Sequence, residues 1–229
     1  MSKKRILRIV EDVREHPCYS VSEAADYLGI PKSTLQSWIS GSGNKKFKPL
    51  IIPADPKNSL LSFYNLVEAH VLVSTRRRDI PMPKVRTAVE YVREHIGGPH
   101  PLASYKFATS GKSIFVKKLE GKTVDATRFG QPALGDLLDK FLRGIKRGKF
   151  DRMPVEVQPL KPKTLKPSPV VINPYVSSGR PVIKDTGIVA SVVWQRANAG
   201  ESIPDLARDY GINAEQIQKV VAYFHQQSA

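Results

Sequence analysis

The chain has 229 residues, of which 41% are hydrophobic and 25% charged, a composition typical of a globular protein with enough apolar side chains for one or two cores. A single cysteine, Cys18, excludes a disulfide framework within the chain, and the longest apolar runs are too short to span a bilayer. The formal net charge of +15 is uneven, because residues 1–169 hold 31 Lys and Arg against 16 Asp and Glu, whereas residues 170–229 hold five of each.

This charge distribution points to a polyanionic partner for the front of the chain. A strongly basic surface favours polyanions, of which nucleic acid is the leading candidate, through the release of condensed counterions. A generally basic protein, or one that binds an acidic protein, is the alternative. The interrupted apolar pattern of the first residues is not that of a signal peptide, so we expect a cytoplasmic protein.

The first predicted element is a helix over residues 3–15. It carries an apolar stripe at helical spacing, formed by Ile6, Ile9, Val10 and Val13. Such a stripe is typical of a core contact or of a dimer seam.

The segment YSVSEAADYLGIPKSTLQSWISG, residues 19–41, predicts a helix-turn-helix. Ser22 is positioned to cap a helix that runs to Leu28. Gly29 allows the sharp turn, and Pro31 suits the first position of the second helix, where its missing N–H costs nothing.

The exposed face of the second helix, 31–40, carries hydrogen-bonding side chains and no carboxylate: Lys32, Ser33, Thr34, Gln36 and Ser37. A helix in the major groove needs donors and acceptors for base edges, and cations and hydroxyls for phosphates. The alternative is a two-helix packing unit with a polar outer face. Basic residues follow directly, which favours DNA contact.

Residues 44–63 predict a two-stranded wing, with two apolar stretches around a Pro/Asp/Asn turn and three lysines at its root. Ser62 is positioned to cap a long helix over 63–78, and residues 84–96 predict another helix. The candidate DNA contacts are Ser22, Lys32, Ser33, Thr34, Gln36, Ser37, Lys45, Lys46, Lys48, Arg76, Arg77 and Arg78.

The order helix-turn-helix, wing and LSFYNLVEAHVLVSTRRRDIPMPKVRTAVEYV gives residues 20–96 a resemblance to a MerR-type winged helix. The resemblance implies a DNA-binding fold in which the helix at 31–40 is the reader. This helix lacks the Arg/Tyr cluster usual in the MerR regulators.

Residues 99–159 predict a small basic α+β module, with eleven Lys and Arg in 101–150. Short alternating runs and Gly turns in LASYKFATSGKSIFVKKLEGKTVDATRFG suggest three strands. A helix over 133–148 and a strand in MPVEVQPL follow. The SGKS at 110–113 is not a phosphate loop, because the required first glycine falls at Lys106.

Residues 160–169 are rich in proline and lysine, a composition that predicts an extended linker. Beyond it, residues 170–183 predict two short strands around a turn at Ser177–Gly179, and GIVASVVWQRANAG predicts a helix. A second helix-turn-helix follows. Five of its positions have the same spacing as Ala25, Gly29, Ile30, Leu35 and Trp38: Ala207, Gly211, Ile212, Ile217 and Val220.

The exposed face of this second unit contains carboxylates, which would repel phosphates: Asp205, Arg208, Asp209, Glu215, Gln216, Gln218 and Lys219. We therefore expect a protein interface or self-association here, with Tyr210, Tyr223 and Phe224 either in that interface or in the core.

The hairpin GRPVI…TGI followed by ESI..LA.DYG, within residues 172–228, resembles a small domain of VapB-type antitoxins, although this chain reads KDTGI at the hairpin. With the front winged helix and the basic middle, the chain resembles long antitoxins of toxin–antitoxin pairs. The resemblance implies a PIN-like ribonuclease toxin as partner. An antitoxin blocks the acidic metal site of such a toxin by covering it, often with an inserted cation. The candidate toxin contacts are Arg180, Lys184, Lys161, Lys163 and Lys166.

The sequence thus predicts a mainly α fold with small β elements, organised as a winged helix (1–98), an α+β module (99–159), a linker (160–169) and a C-terminal helix-turn-helix domain (170–229). We expect an antitoxin and autorepressor that forms a homodimer and binds paired half-sites on DNA. The alternative is a stand-alone regulator whose C-terminal module dimerises. The five histidines are scattered without ligand spacing, so we expect no enzyme, metal or cofactor.

Overall fold

The computed structural model describes residues 12–41, 48–76, 80–120, 134–160 and 168–228. These residues are mostly helical, with a small antiparallel sheet of four strands, which confirms the predicted fold class. The helices are α1 Val21–Leu28, α2 Lys32–Ser40, α3 Phe63–Arg76, α4 Met82–Ile96, α5 Lys112–Glu120, α6 Leu134–Arg143, α7 Ala190–Asn198, α8 Ile203–Tyr210 and α9 Ala214–Ser228. The strands are β1 Ile145–Arg147, β2 Pro154–Val157, β3 Val170–Ile172 and β4 Pro181–Ile183.

Ser20, and not Ser22 as predicted, caps α1. The Ser20 hydroxyl accepts a hydrogen bond from the Glu23 amide at 3.2 Å, and the Glu23 carboxylate accepts one from the Ser20 amide at 2.9 Å. This reciprocal capping box needs an acidic residue three positions after the cap, a condition that Glu23 fulfils for Ser20. Ser22 lies within α1 and is exposed.

In the described residues, the structure differs from the prediction at the start of the chain and in the segment predicted to be the wing. Residues 3–11 of the predicted first helix lie outside the described residues, and the described remainder contains a single 3₁₀ turn, Val13–Glu15. In the described part of 44–63 we find isolated bridges, Asp55 to Leu60 and Tyr19 to Leu61, in place of two wing strands. The buried Asn65 explains why: its side chain binds the amide of Ala54 and the carbonyl of Ile52, groups that strand pairing would use.

The prediction of three strands after residue 101 is also wrong for the described residues up to 120. A π-helical turn, Phe107–Gly111, leads directly into α5, and residues 121–133 lie outside the described part. Phe107, Gly111 and Phe115 are buried and lie four residues apart. This spacing is close to one helical turn, but it also fits the alternation of buried and exposed residues in a strand. Gly111 is needed because the Ile96 side chain occupies the space of a Cβ. It marks a close helix contact and not a turn between strands.

The small sheet joins the middle of the chain to its C-terminal part. Its strand order is β1-β2-β3-β4, with all neighbours antiparallel. Val157 of β2 is opposite Ile172 of β3, and Val171 is opposite Val182 of β4. The segment between β2 and β3 contains residues 161–167 of the predicted linker, which lie outside the described residues.

The structure has two hydrophobic cores, and both include residues of this sheet. The first extends from Tyr19 to Ile172 and includes side chains from both 1–98 and 99–159, which the sequence divides into separate modules. The second lies within residues 170–224 and contains Leu206, Ile217 and Val220.

The two helix-turn-helix units have the same local construction. Gly29 and Gly211 both adopt the left-handed conformation, with φ values of 65° and 64°. Each amide bonds back to the end of the preceding helix, an arrangement that glycine adopts without the penalty of a Cβ. The predicted repeat is therefore present in the structure.

Candidate nucleic-acid interface

The outer face of α2 is exposed and carries no carboxylate. Lys32, Ser33 and Ser37 are exposed, whereas Thr34 and Gln36 are partly buried. The opposite face is anchored in the first core by Leu35, Trp38 and Ile39. The Ser37 hydroxyl donates to the Thr34 carbonyl at 2.7 Å, which leaves its oxygen lone pairs available as acceptors.

Two arginines of α4 hold the end of α2 and the segment after it. The Arg86 guanidinium donates to the carbonyls of Lys48 at 2.7 Å and Ser37 at 3.3 Å. Arg93 donates to the carbonyls of Pro49 at 2.8 Å and Leu50 at 2.6 Å. A cation near the end of a helix also complements the helix dipole.

These arginines were missed in the sequence. Their seven-residue separation places both on one face of α4, a spacing that is visible in KVRTAVEYVREH. Burial lowers the pKa of Arg86 from its ordinary value without bringing it near neutrality. The guanidinium therefore stays charged and fixes the orientation of α2.

The other predicted DNA contacts are spread more widely. Lys48 is exposed and pairs with Glu90 at 2.9 Å. Arg76 is exposed at the last residue of α3. The remaining predicted contacts lie outside the described residues: Lys45, Lys46, Arg77 and Arg78.

A cluster of charged groups at the start of α3 joins distant parts of the chain. Arg14, only 8% exposed, pairs with Asp12 at 2.8 Å and with Asp151 at 2.6 Å. Its guanidinium also lies 5.3 Å from the ring centroid of Tyr64 and 5.9 Å from that of Tyr175. Arg14 thus connects α3, the β1–β2 hairpin and the residues after β3.

His100 belongs to a neighbouring polar cluster. Its Nδ1 lies 3.1 Å from the buried carboxylate of Glu68, and its Nε2 lies 2.9 Å from Glu15. Burial alone would lower the pKa of His100, but hydrogen bonds to Glu68 and Glu15 outweigh it and raise the pKa above its ordinary value. This arrangement stabilises the fold rather than presenting a reactive group, because both ring nitrogens are occupied.

The exposed charges of the second helix-turn-helix are paired with one another. Glu215 accepts from Lys219 at 2.6 Å, and Asp205 pairs with Arg208. Asp209 pairs with Arg196 of α7 at 2.7 Å. Tyr223 is buried, and Phe224 packs against the second core, so both aromatic side chains are chiefly structural.

Of the predicted toxin contacts, two lie on described residues. Arg180 is exposed and donates through Nε to the Ser177 carbonyl at 3.3 Å, and Lys184 is partly buried just after β4. Within the described ranges neither side chain forms an ion pair. Lys161, Lys163 and Lys166 lie outside the described residues.

The turn before Arg180 packs against the front helix-turn-helix. The buried Tyr19 hydroxyl donates to the Gly179 carbonyl at 3.0 Å, and the Leu160 amide donates to the Tyr27 carbonyl at 2.8 Å. Burial raises the pKa of Tyr27 to about 12, against a smaller lowering effect of Arg180. The candidate toxin-binding hairpin therefore adjoins α1.

In the part of the chain that the structure describes, no group of three or more His, Cys, Asp or Glu side chains could hold a metal ion. Over the same ranges, every helix is too short or too polar to cross a membrane.

Two family models match separate parts of the chain, one near its start and one near its end. Residues 17–89 match the family described as "Putative DNA-binding HTH domain", and residues 170–224 match "Protein of unknown function (DUF433)". The "Putative antitoxin VapB45" of Mycobacterium tuberculosis is 25% identical over 223 residues, covering 88% of this chain and 91% of that protein. This chain therefore contains a helix-turn-helix domain, and over most of its length it is similar to a protein named as an antitoxin.

A second curated protein and a crystal structure are also similar to this chain over most of their length. The "Uncharacterized protein Rv2308" of M. tuberculosis is 28% identical over 222 residues, covering 93% of this chain and 92% of that protein. The crystal structure of Rv2018 from M. tuberculosis superposes with a TM-score of 0.70 at 25% identity, covering 90% of this chain and 98% of that one. The similarity therefore includes the front helix-turn-helix, the middle and the C-terminal module together.

Proposed function

We propose that this antitoxin-like helix-turn-helix protein is an autorepressor that binds operator DNA as a homodimer in the cytoplasm. The front domain acts as a MerR-like helix-turn-helix domain and places α2 in the major groove. The observation that carries the proposal is the exposed, carboxylate-free face of α2, held in place by Arg86 and Arg93. Hydroxyl, amide and ammonium groups on such a face suit base edges and phosphates.

A second partner, a PIN-like ribonuclease toxin, binds the C-terminal module in this proposal. The module has no net charge. Within the described residues Asp185 forms no ion pair, the other four carboxylates pair with the module's own cations, and most of those cations are paired in this way. Arg180 and Lys184 are exceptions, since they form no ion pair with a described residue. They are the side chains best suited to meet the acidic metal site of such a nuclease. The linker lysines Lys161, Lys163 and Lys166 extend this contact. The function is binding and not catalysis.

DNA binding is tested with the full chain and the DNA upstream of its own coding sequence. Lys32→Ala and Thr34→Ala are expected to change site preference, because both side chains lie on the reading face. Lys45→Ala is expected to weaken binding to all sequences and to lower the log–log salt slope by about 0.9, as for one lost phosphate contact. Unchanged operator binding by both Lys32→Ala and Thr34→Ala would show that α2 is not the reading helix.

Toxin binding is tested with the full chain and the purified product of the adjacent open reading frame. Arg180→Ala and Lys184→Ala should weaken the complex and restore ribonuclease activity, whereas Lys219→Ala, which removes a cation already paired with Glu215, should not. If no complex forms and the chain sediments as a dimer through the C-terminal module, the stand-alone regulator is correct instead.

A further inference from the structure

The hairpin between β1 and β2 carries the most exposed large apolar side chain among the described residues. Phe150 is 100% exposed, at the turn between Arg147 and Pro154. Neither the front helix-turn-helix nor the C-terminal module uses this residue. A phenylalanine that contacts nothing in its own chain does not contribute to the core, so its place at the hairpin tip needs another reason.

The hairpin tip is held in one conformation by specific contacts. Asp151 accepts the Arg14 guanidinium at 2.6 Å and the Met153 amide at 3.0 Å. Arg147 donates to the carbonyls of Ala103 at 2.9 Å and Arg152 at 3.1 Å. A Cβ at Gly148 would lie 2.7 Å from the Asp151 carboxylate, so a larger residue there would displace the side chain that Arg14 holds. Phe150 therefore projects from a rigid turn.

Exposed cations outnumber carboxylates on the hairpin. They are Lys146, Lys149 and Arg152, and Glu156 lies opposite Lys146. The carboxylate at the tip, Asp151, pairs with the buried Arg14, which it shares with Asp12 and which lowers the pKa of Asp151. Within the described residues Lys149 and Arg152 form no ion pair, and the Arg152 guanidinium lies 5.5 Å from the ring centroid of the half-exposed Tyr105.

We propose that the β1–β2 hairpin, residues 147–153, is a second contact with duplex DNA, at which Lys149 and Arg152 bind phosphates and Phe150 packs against sugars and base edges in the minor groove. The proposal rests on the DNA binding proposed above and extends it to the middle of the chain. Protein interfaces are depleted in lysine, whereas a patch of exposed cations is the electrostatic signature of a nucleic-acid contact. Apolar side chains from architectural proteins enter the minor groove in the same chemical setting.

The test uses the full chain, the DNA upstream of its coding sequence and an unrelated duplex of equal length. Phe150→Ala should lower affinity for both duplexes about fivefold or more without changing the salt slope, because no charge is removed. Lys149→Ala and Arg152→Ala should each lower the slope by about 0.9. Lys219→Ala, with its cation paired elsewhere, and Val192→Ala, at 41% exposure, are the matched controls and should bind as the wild type does.

The outcomes separate this proposal from the proposed function. If Lys32→Ala weakens operator binding while the three hairpin variants bind as the wild type does, the hairpin contact is wrong and the function stands. If the wild type binds neither duplex, both are wrong. Loss of binding only to a single-stranded oligonucleotide of the same sequence, or only to the toxin, would also overturn the duplex contact. Phe150 has no packing to lose, so unchanged thermal unfolding of Phe150→Ala excludes misfolding as the cause of any effect.

Discussion

The hydrogen bond between Tyr19 and Gly179 provides a sharp test of how the two ends of the chain are joined. Tyr19→Phe removes only the hydroxyl that donates to the buried Gly179 carbonyl. Gly179→Ala adds a Cβ that would overlap this hydroxyl and lie 3.2 Å from the Tyr19 Cζ, at a residue with φ of 75°. Burial raises the pKa of Tyr19 above its ordinary value, so the hydroxyl keeps its proton at every working pH.

The expected magnitudes follow from these contacts. Tyr19→Phe leaves a buried acceptor without its donor, at a cost of about 1–3 kcal/mol in the free energy of unfolding. Gly179→Ala combines a left-handed backbone at an alanine with a steric overlap, at a cost of about 2–5 kcal/mol. In the double variant the hydroxyl that the methyl group overlaps is absent. Its destabilisation should therefore be smaller than the sum of the two single effects by about 1 kcal/mol or more.

The assay is denaturant unfolding of the full chain, followed by tryptophan fluorescence. Trp38 is buried in the first core, and the Trp194 ring contacts that of Phe224, beside the second core, at a centroid distance of 5.4 Å. Variants with one tryptophan each report which half unfolds. If the two single effects add to within about 0.5 kcal/mol, the Tyr19–Gly179 contact is not as described.

Three further predictions concern stability and binding. The pKa of His100 is raised in the folded protein, so the stability that its protonation contributes is present below about pH 6.5 and is lost as the pH rises through the folded pKa. In His100→Gln the free energy of unfolding should therefore depend less on pH over that range. Gly211→Ala should cost about 1–2 kcal/mol in chemical unfolding, because its Cβ would meet open space and only the φ of 64° is penalised; Gly211→Asn should cost less. Arg86→Ala should weaken operator binding about tenfold in a titration while leaving the salt slope unchanged, since Arg86 holds α2 and contacts no phosphate in the proposed complex.

The helix-turn-helix units were predictable because their signals are local. A small residue, a glycine four positions later and apolar residues at fixed spacing specify the turn and the buried face of each unit within about fifteen residues. The same applies to the hairpin with its turn at Ser177–Gly179 and to the helix that follows. The caps were less certain, because Ser20 and Ser22 are both serines near a helix start and only the pairing with Glu23 distinguishes them.

The helices at 107–120 could not be deduced with the same confidence. Gly111 has the appearance of a turn residue in the sequence, and the contact that requires glycine there comes from Ile96, fifteen positions earlier. The wing was predicted from a turn signal, but the distant Asn65 uses the hydrogen-bonding groups of the segment. In both cases a tertiary contact decided the local structure.

The arrangement of the candidate sites also depends on distant contacts. The seven-residue spacing of Arg86 and Arg93 is visible in the sequence, but their targets are carbonyls 38 to 49 residues away. Phe150 is one aromatic residue in a basic segment, and its exposure follows from the attachment of Asp151 to Arg14. The four-stranded sheet across the predicted linker depends on β2 and β3 meeting, which no local pattern indicates.

The attachment of the Ser177–Gly179 turn to α1 has a thermodynamic consequence for regulation. A ligand that grips Arg180 acts on a segment bonded to Tyr19, one residue before the cap of the front helix-turn-helix. If occupancy there alters operator affinity by some factor, linkage requires that operator occupancy alter affinity for that ligand by the same factor. A cell could then adjust transcription by the ratio of the two bound molecules instead of by the amount of either one.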